Sequence, residues 1–216
     1  MTFRIKSVPP AVTLLLGFLL LLTGCATTGS GRAEKTTAKM EVVDSEIRQA
    51  VVQIDATGIA LEKLIRPGLS DTKAAFETYS DNVVKMERLG GKLIKHTDEM
   101  SVRGKDYFTE WEKQGNTYTN PRIRELSEQR RSDSNTVYRR ISESSIGVKG
   151  WFVAYLRDIK EIQSFLSTDL TDKGIKSITP IAQKAISDGA ILKNTVVPVL
   201  SALDAAKSEM AQGGAN

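Results

Sequence analysis

Few residues of this chain could take part in chemistry of their own. Cys25 is the single cysteine and His96 the single histidine among 216 residues. A catalytic triad or a zinc site needs several such groups together, so we interpret His96 as an ordinary surface or edge residue. Asp98, Glu99 and Glu110 lie on a predicted helix, where neighbouring positions do not face each other, and they form no convincing acid and base pair. We therefore expect no enzymatic activity, no metal and no cofactor.

The residues before Cys25 predict its chemical fate. A basic start is followed by an almost purely aliphatic run, 11–22, which closes with Leu22, Thr23 and Gly24 directly before the cysteine. This is the order of a bacterial lipoprotein signal peptide. The run is shorter than the ~20 residues that cross a bilayer, which favours a cleaved signal over a permanent anchor. We expect cleavage after Gly24 and acylation of the Cys25 sulfur.

Acylation at Cys25 would hold the mature protein on a membrane, since more than one acyl chain gives stable attachment at ~0.8 kcal/mol per buried CH₂. The next residue is Ala26 rather than aspartate. Similarity to proteobacterial lipoproteins then implies sorting to the outer membrane, with the domain facing the periplasm. The predicted order is a signal peptide, 1–24, a lipidated cysteine with a flexible Thr-, Gly- and Ser-rich tether, 25–32, and a helical bundle domain, 33–212.

Composition narrows the classes of partner. Removing residues 1–24 takes away two basic residues and no acidic residue, so the formal net charge falls from +4 to +2. This small charge does not suggest non-specific nucleic-acid binding, and we expect no nucleic-acid partner. With one cysteine the chain has no internal disulfide. The mature length fits one domain, whose stability must come from its packed core.

Apolar residues recur with heptad spacing in four stretches, which predicts four long amphipathic helices. The four stripes run over residues 40–64, 76–111, 138–166 and 175–210. Arg66-Pro67-Gly68 ends the first helix, Ser70 or Asp71 caps the second, and Asn120 with Pro121 begins the third. Residues 169–174 break the third helix, and Pro180 and Pro198 are expected to bend or divide the fourth.

Four such helices with short connections predict an all-α fold, an elongated, coiled-coil-like antiparallel bundle. An extended coiled coil or a dimer would also satisfy a sustained heptad. Gly90, Thr97 and Gly104 occupy seam positions of the second helix, which disfavours a simple self-pairing zipper. We favour the intramolecular bundle.

One polar interruption of the heptad is a candidate site. Extending the third stripe backwards places four polar residues on the seam: Arg124, Ser127, Arg131 and Ser134. In one interpretation they form a partly buried basic notch opposite Thr97 and Gly104, suited to a lipid headgroup, a glycan acid or a carboxylate. In the other, Ile123, Leu126 and Val137 form a rotated stripe, and a local phase shift turns both arginines to solvent.

A family resemblance covers about residues 110–178. The matching residues are Trp111-Glu112, Tyr118-Thr119-Asn120, Arg124, Ser127, Tyr138, Asp158, Phe165-Leu166, Asp169-Leu170-Thr171 and Ile175. Their order resembles a bacterial family catalogued as domain of unknown function 2959. Arg131 and Asn135 depart from its pattern, and a lysine-histidine-asparagine run before the last helix is missing. The resemblance implies a helical, envelope-associated protein without an assigned activity.

Two function classes follow from these patterns. The first is a membrane-anchored lipoprotein that acts as a non-enzymatic structural or protein-interaction module, with an envelope protein or a second copy of itself as partner. The alternative is a carrier or binder of a small anionic or lipid ligand between the helices, near Arg124, Arg131, Gly90 and Gly104.

Overall fold

The computed structural model describes residues 28–212, and among these the regular secondary structure is entirely α-helical. The helices are α1 (Gly29–Leu64), α2 (Thr72–Gly115), α3 (Pro121–Ser144), α4 (Val148–Thr168), α5 (Asp172–Thr195) and α6 (Val197–Gln212). They form four rods, in which α3 continues into α4 and α5 into α6, and each rod packs against two others. The all-α helical bundle expected from the heptads is confirmed.

Local sequence fixes where these helices begin. The Asp71 carboxylate accepts a hydrogen bond of 2.9 Å from the Ala74 amide, and the Asn120 side chain accepts one of 2.9 Å from the Arg122 amide. Each bond satisfies one of the amides that have no partner inside the helix. Pro121 is the first residue of α3, where its missing N–H costs nothing. The predicted caps of α2 and α3 lie where the sequence places them.

The folded domain begins earlier than the sequence predicts. Residues 29–32, assigned above to the flexible tether, form the first turn of α1. The Thr28 hydroxyl caps that turn by accepting a 3.2 Å bond from the Gly31 amide. Ala33 and Thr36 are buried and extend the heptad of Met40 and Val43 by one further repeat. The signal peptide 1–24, with Leu22, Thr23 and Gly24, and the tether residues 25–27, including Cys25, lie outside the described residues.

Both later rods are divided, and the two divisions have different causes. Gly147, in the left-handed region at φ 80°, separates α3 from α4, a conformation that glycine adopts without steric cost. Val196 separates α5 from α6, and Pro198 is the second residue of α6. Pro180, in contrast, lies inside α5, which continues through it. The predicted division of the last helix is therefore found near Pro198, and α5 is not divided at Pro180.

The core consists of two apolar clusters stacked along the bundle. The first cluster runs from the end of the bundle that holds the α1–α2 and α4–α5 connections to mid-length. It includes Tyr79, Met86 and Leu166. The second, toward the α2–α3 connection, includes Met40 and Phe108. All eight heptad positions predicted for α1 are buried, namely Met40, Val43, Ile47, Ala50, Ile54, Thr57, Leu61 and Leu64. In α2 the buried stripe shifts after Gly104, so that Phe108 is more deeply buried than Trp111, because a straight helix drifts away from a strict seven-residue repeat.

Candidate functional site

Arg124 is turned to solvent and secures the α2–α3 turn. Its Nε and Nη2 atoms donate to the Tyr118 carbonyl oxygen at 3.2 and 2.8 Å. The guanidinium group therefore binds the end of the preceding connection and does not enter the seam. This position contradicts the half of the notch hypothesis that placed Arg124 between the helices.

Ser127 lies between the two helices, as its seam position requires. The Trp111 indole Nε1 donates to its hydroxyl oxygen at 3.2 Å. A Cβ atom added at Gly115 would lie 3.1 Å from the Ser127 hydroxyl, so the α2 backbone approaches closely at this point. Ser127 is thus a packing and hydrogen-bonding contact between α2 and α3.

Arg131 faces the α2–α3 groove, where two acidic residues neutralise it. Its side chain is 18% exposed, and its Nη1 atom is 3.9 Å from Glu112 on α2. Its Nε and Nη2 atoms donate to both carboxylate oxygens of Glu128 at 3.2 and 2.6 Å. These hydrogen bonds to Glu128 raise the pKa of Arg131 further above its ordinary value. An external anion would have to compete with carboxylates that the chain supplies itself.

Ser134 is buried and joins α3 to α6. Its hydroxyl donates to Glu209 at 2.9 Å, and Arg130 forms an ion pair of 3.1 Å with the same carboxylate. Sequence reasoning missed Arg130 and Glu209, because their separation along the chain leaves no local signal of the contact. The buried end of the polar seam is therefore a hydrogen-bonded contact between helices.

The alternative of a rotated apolar stripe is also wrong at the start of α3. Ile123 and Leu126 are exposed, while Val137 is partly buried against the second core cluster. α3 keeps the heptad register of the rest of its rod and carries polar residues on it. The outcome combines parts of both hypotheses: Ser127, Arg131 and Ser134 face other helices, and Arg124 faces water.

The space expected beside the seam glycines is occupied by aromatic side chains. The Tyr138 ring fills the position that a side chain at residue 104 would take, and Phe152 lies against Gly90. The Tyr138 hydroxyl donates to the Met100 carbonyl oxygen at 2.9 Å, and burial raises its pKa to about 12. Gly104 and Gly90 thus allow close packing of α2 against aromatic side chains of α3 and α4.

Two spaces remain near these residues. A shallow cleft of about 320 Å³ lies beside Arg131 between α2 and α3, and Lys105, Glu112 and Arg139 also line it. A separate apolar cavity of about 90 Å³ lies at mid-length, between the two core clusters, and is lined by residues of all six helices. That volume is smaller than the 150 Å³ or so that admits a benzene molecule, so it does not hold a lipid chain in this conformation.

His96 makes a contact that its sequence did not predict. Its Nδ1 atom is 2.7 Å from Glu46 Oε1, which joins α2 to α1, and both side chains are largely buried. The second carboxylate oxygen of Glu46 is buried without a hydrogen-bond partner within residues 28–212. His96 is therefore a contact between helices and more than an ordinary edge residue.

The search for metal sites, for membrane-spanning helices and for related proteins does little to narrow the function. Within residues 28–212, no cluster of three or more histidine, cysteine or acidic residues could hold a metal ion. No helix in the same range is long and apolar enough to cross a membrane. Comparisons with family models, with curated proteins and with solved structures find no match. The resemblance to domain of unknown function 2959 stays a prediction.

Proposed function

We propose that this protein is a lipoprotein of the bacterial outer membrane, anchored through acylated Cys25, and that its helical bundle is a non-enzymatic structural or protein-interaction module of the periplasm. The observation that carries this proposal is the motif Leu22-Thr23-Gly24-Cys25 after a short aliphatic run. α1 begins at Gly29, four residues later, so the bundle would stand directly at the membrane surface.

The surface of the bundle supports a role in protein contacts. Ile146, at the division between α3 and α4, is 81% exposed, and Trp151 nearby is more than half exposed. Trp is enriched among the residues that dominate binding energy at protein interfaces. α3, which leads from the α2–α3 connection to Ile146, spans 24 residues, or about 36 Å, so these side chains would be displayed near mid-length of the bundle, away from the membrane anchor.

The anchor is tested by Cys25→Ala together with metabolic labelling by an alkyne fatty acid. We expect the natural chain to incorporate the label and to fractionate with outer membranes, and the variant to incorporate none. Absence of label in the natural chain, in cells that label a known lipoprotein, would contradict the proposal.

The interaction role is tested by photocrosslinking in cells, with the reactive amino acid at position 151. A reproducible adduct with one envelope protein, or with a second copy of this chain, supports the proposal. Position 52, also an exposed apolar site but on α1, is the matched control. Adducts of equal yield and pattern at both positions, or none at any exposed site, would contradict a specific partner.

The cleft beside Arg131 keeps a second candidate function, the binding of a small anion. Lys105, Arg131 and Arg139 line it together with one carboxylate, that of Glu112, and Glu128 and Glu143 outside its lining pair with the two arginines. Calorimetric titration with inorganic phosphate and with a short-chain phosphatidylglycerol tests this candidate. Binding that Lys105→Ala and Arg139→Ala each weaken would support it, and no heat of binding at millimolar concentration would remove it.

A further inference from the structure

We infer that the connection between α2 and α3 is a membrane-contacting tip, whose basic and apolar side chains bind the anionic headgroups of the membrane that holds Cys25. The tip is defined here as residues 113–124. The inference rests on the proposed function, because acylation of Cys25 is what brings this end of the bundle to a lipid surface.

The tip projects beyond the four-rod part of the bundle. Glu209, one turn before the end of α6, contacts Arg130 and Ser134 of α3. The start of α1 and the end of α6 share one groove, which includes Ser30 and Met210. The first turns of α3 therefore extend past the end of α6 by roughly 10 Å at about 1.5 Å per helical residue. Lys39 pairs with Glu99 and Glu46 with His96, so the end of α2 extends past the start of α1 by about 3 to 9 Å.

The tip is a rigid part of the fold. The indole of Trp111 on α2 is bonded to Ser127 on α3. Arg124 is bonded to the Tyr118 carbonyl across the turn, and Asn120 caps α3. These contacts hold the tip in line with the bundle, so its position relative to α1 is fixed.

The reach of the chain from Cys25 places the tip at the membrane. Four Cα to Cα steps separate Cys25 from Gly29, the first residue of α1, and at about 3.8 Å each they span at most about 15 Å. The tip lies at the end of the bundle where α1 begins. Even with a fully extended link from Cys25, an upright bundle would bring the tip within roughly 10 Å of the headgroups.

The side chains of the tip suit an anionic lipid surface. Lys113, Arg122 and Arg124 are its charged residues, and Glu112 and Glu125 directly flank it. The pairs of Lys113 with Glu110 and of Arg122 with Glu125 are exposed contacts within one helix, which contribute little and exchange readily. Ile123 lies between the two arginines and is 48% exposed. Basic groups flanking an apolar side chain are typical of residues that dip into a headgroup layer.

The test uses the full acylated protein in vesicles of phosphatidylethanolamine and phosphatidylglycerol. Acylation blocks the sulfur of Cys25, so Ile123→Cys provides the one thiol for a fluorescent label. Ile181→Cys, with a side chain that is 54% exposed on α5, is the matched control away from the tip. Lipids that carry a nitroxide quencher near the headgroup then report contact. We expect quenching at position 123 to exceed that at position 181 at least threefold.

The outcomes separate the two proposals. Intact mass measurement shows whether Cys25 carries acyl groups, and a free thiol there overturns the proposed function and this inference with it. Acylated protein with equal quenching at positions 123 and 181 overturns the inference alone.

The part played by charge has its own variant. Lys113→Glu with Arg122→Glu changes two exposed side chains and leaves Arg124 on its turn. A basic residue near an anionic surface strengthens attachment by about fivefold, so we expect the excess quenching at position 123 to fall severalfold. Unchanged quenching at position 123 in this variant would overturn recognition of anionic headgroups. The same holds if the natural side chains give as much quenching in purely zwitterionic vesicles as in vesicles with phosphatidylglycerol.

Discussion

At the scale of single residues, glycine and aromatic side chains fit together across α2 and the third rod. Tyr138 packs on Gly104, and Phe152 and Leu156 pack on Gly90. The glycines let the backbone of α2 approach these side chains closely. The sequence suggested that Gly90 and Gly104 leave space for a ligand. In the structure, aromatic side chains of the same chain fill that space.

Gly104→Ala should destabilise the protein by about 3 kcal/mol, because the new methyl group would overlap the rigid Tyr138 ring and break its bond to Met100. Gly91→Ala is the matched control, since nothing lies within 4 Å of its added Cβ, and it should stabilise α2 by up to ~1 kcal/mol. Urea unfolding of both variants checks this. Equal midpoints would contradict the packing described for Gly104.

Buried tyrosines make stability depend on alkaline pH. Burial raises the pKa of Tyr138 to about 12 and raises the pKa values of Tyr79 and Tyr155 further, whereas unfolded tyrosine titrates near pH 10. The contribution of these tyrosines to the free energy of unfolding is complete below pH 10. As the pH rises from 10 toward each folded pKa, this free energy falls by about 1.4 kcal/mol per pH unit for each tyrosine.

Tyr138→Phe tests this dependence. The variant should lose about 1 kcal/mol at pH 8, since its bond to the Met100 carbonyl is gone. Its stability should then fall less steeply than that of the natural protein between pH 10 and 12. Urea midpoints at pH 8, 10 and 11 measure both effects, and parallel declines for the two proteins would show that folding does not raise the pKa of Tyr138.

At the scale of the elements, two prolines in one rod have different structural consequences. Pro180 lies within α5, where it removes one backbone hydrogen bond of the helix. Pro198 lies in the first turn of α6, where the amide has no partner inside the helix. The same residue type therefore interrupts bonding at one position and fits the start of a helix at the other.

Pro180→Ala should raise the free energy of unfolding by about 2 kcal/mol, because the restored helix bond outweighs the extra freedom of the unfolded chain. Pro198→Ala should lower it by up to ~1 kcal/mol through that same freedom. Thermal and urea unfolding of the pair provide the comparison. If Pro198→Ala raised the free energy of unfolding as much as Pro180→Ala, the two prolines would not differ in their effect on the helix.

At the scale of the whole molecule, the bundle is unevenly stabilised along its length. α3 buries only Ser134 and Ile141 of its 24 residues, whereas α4 on the same rod buries five of 21. Besides the packing of Val137, Tyr138 and Ile141 in the second cluster, α3 is held by polar contacts with α2 and α6. The α3 half of the third rod therefore has the smaller apolar contribution to stability.

Hydrogen exchange should show this difference. Amides of residues 125–140 should exchange at least about tenfold faster than those of residues 152–166, because segments with few buried apolar contacts open locally at lower free energy. Mass spectrometry of peptides after deuterium labelling measures both segments in one sample. Equal protection would show that the bundle opens as one cooperative unit.

The sequence by itself determined the fold class, the buried stripes of the helices and the caps at Asp71 and Asn120. These features depend on periodicity and on residues within one turn of each other, which local physics specifies. It did not determine the division at Gly147, since a glycine within a helical pattern is compatible with either a helix or a left-handed turn.

The tertiary structure alone decided what the polar seam does. The partners of these side chains depend on how far one rod is shifted along another. That shift decides whether Arg131 lies beside Glu112 or beside an open cleft. It also decides whether Ser134 contacts Glu209 and whether His96 contacts Glu46. The heptad repeat is satisfied equally well by several such axial shifts, because it records which face of a helix is buried and not which residues lie opposite. The packing of the rods fixes the shift, and with it each partner of the seam.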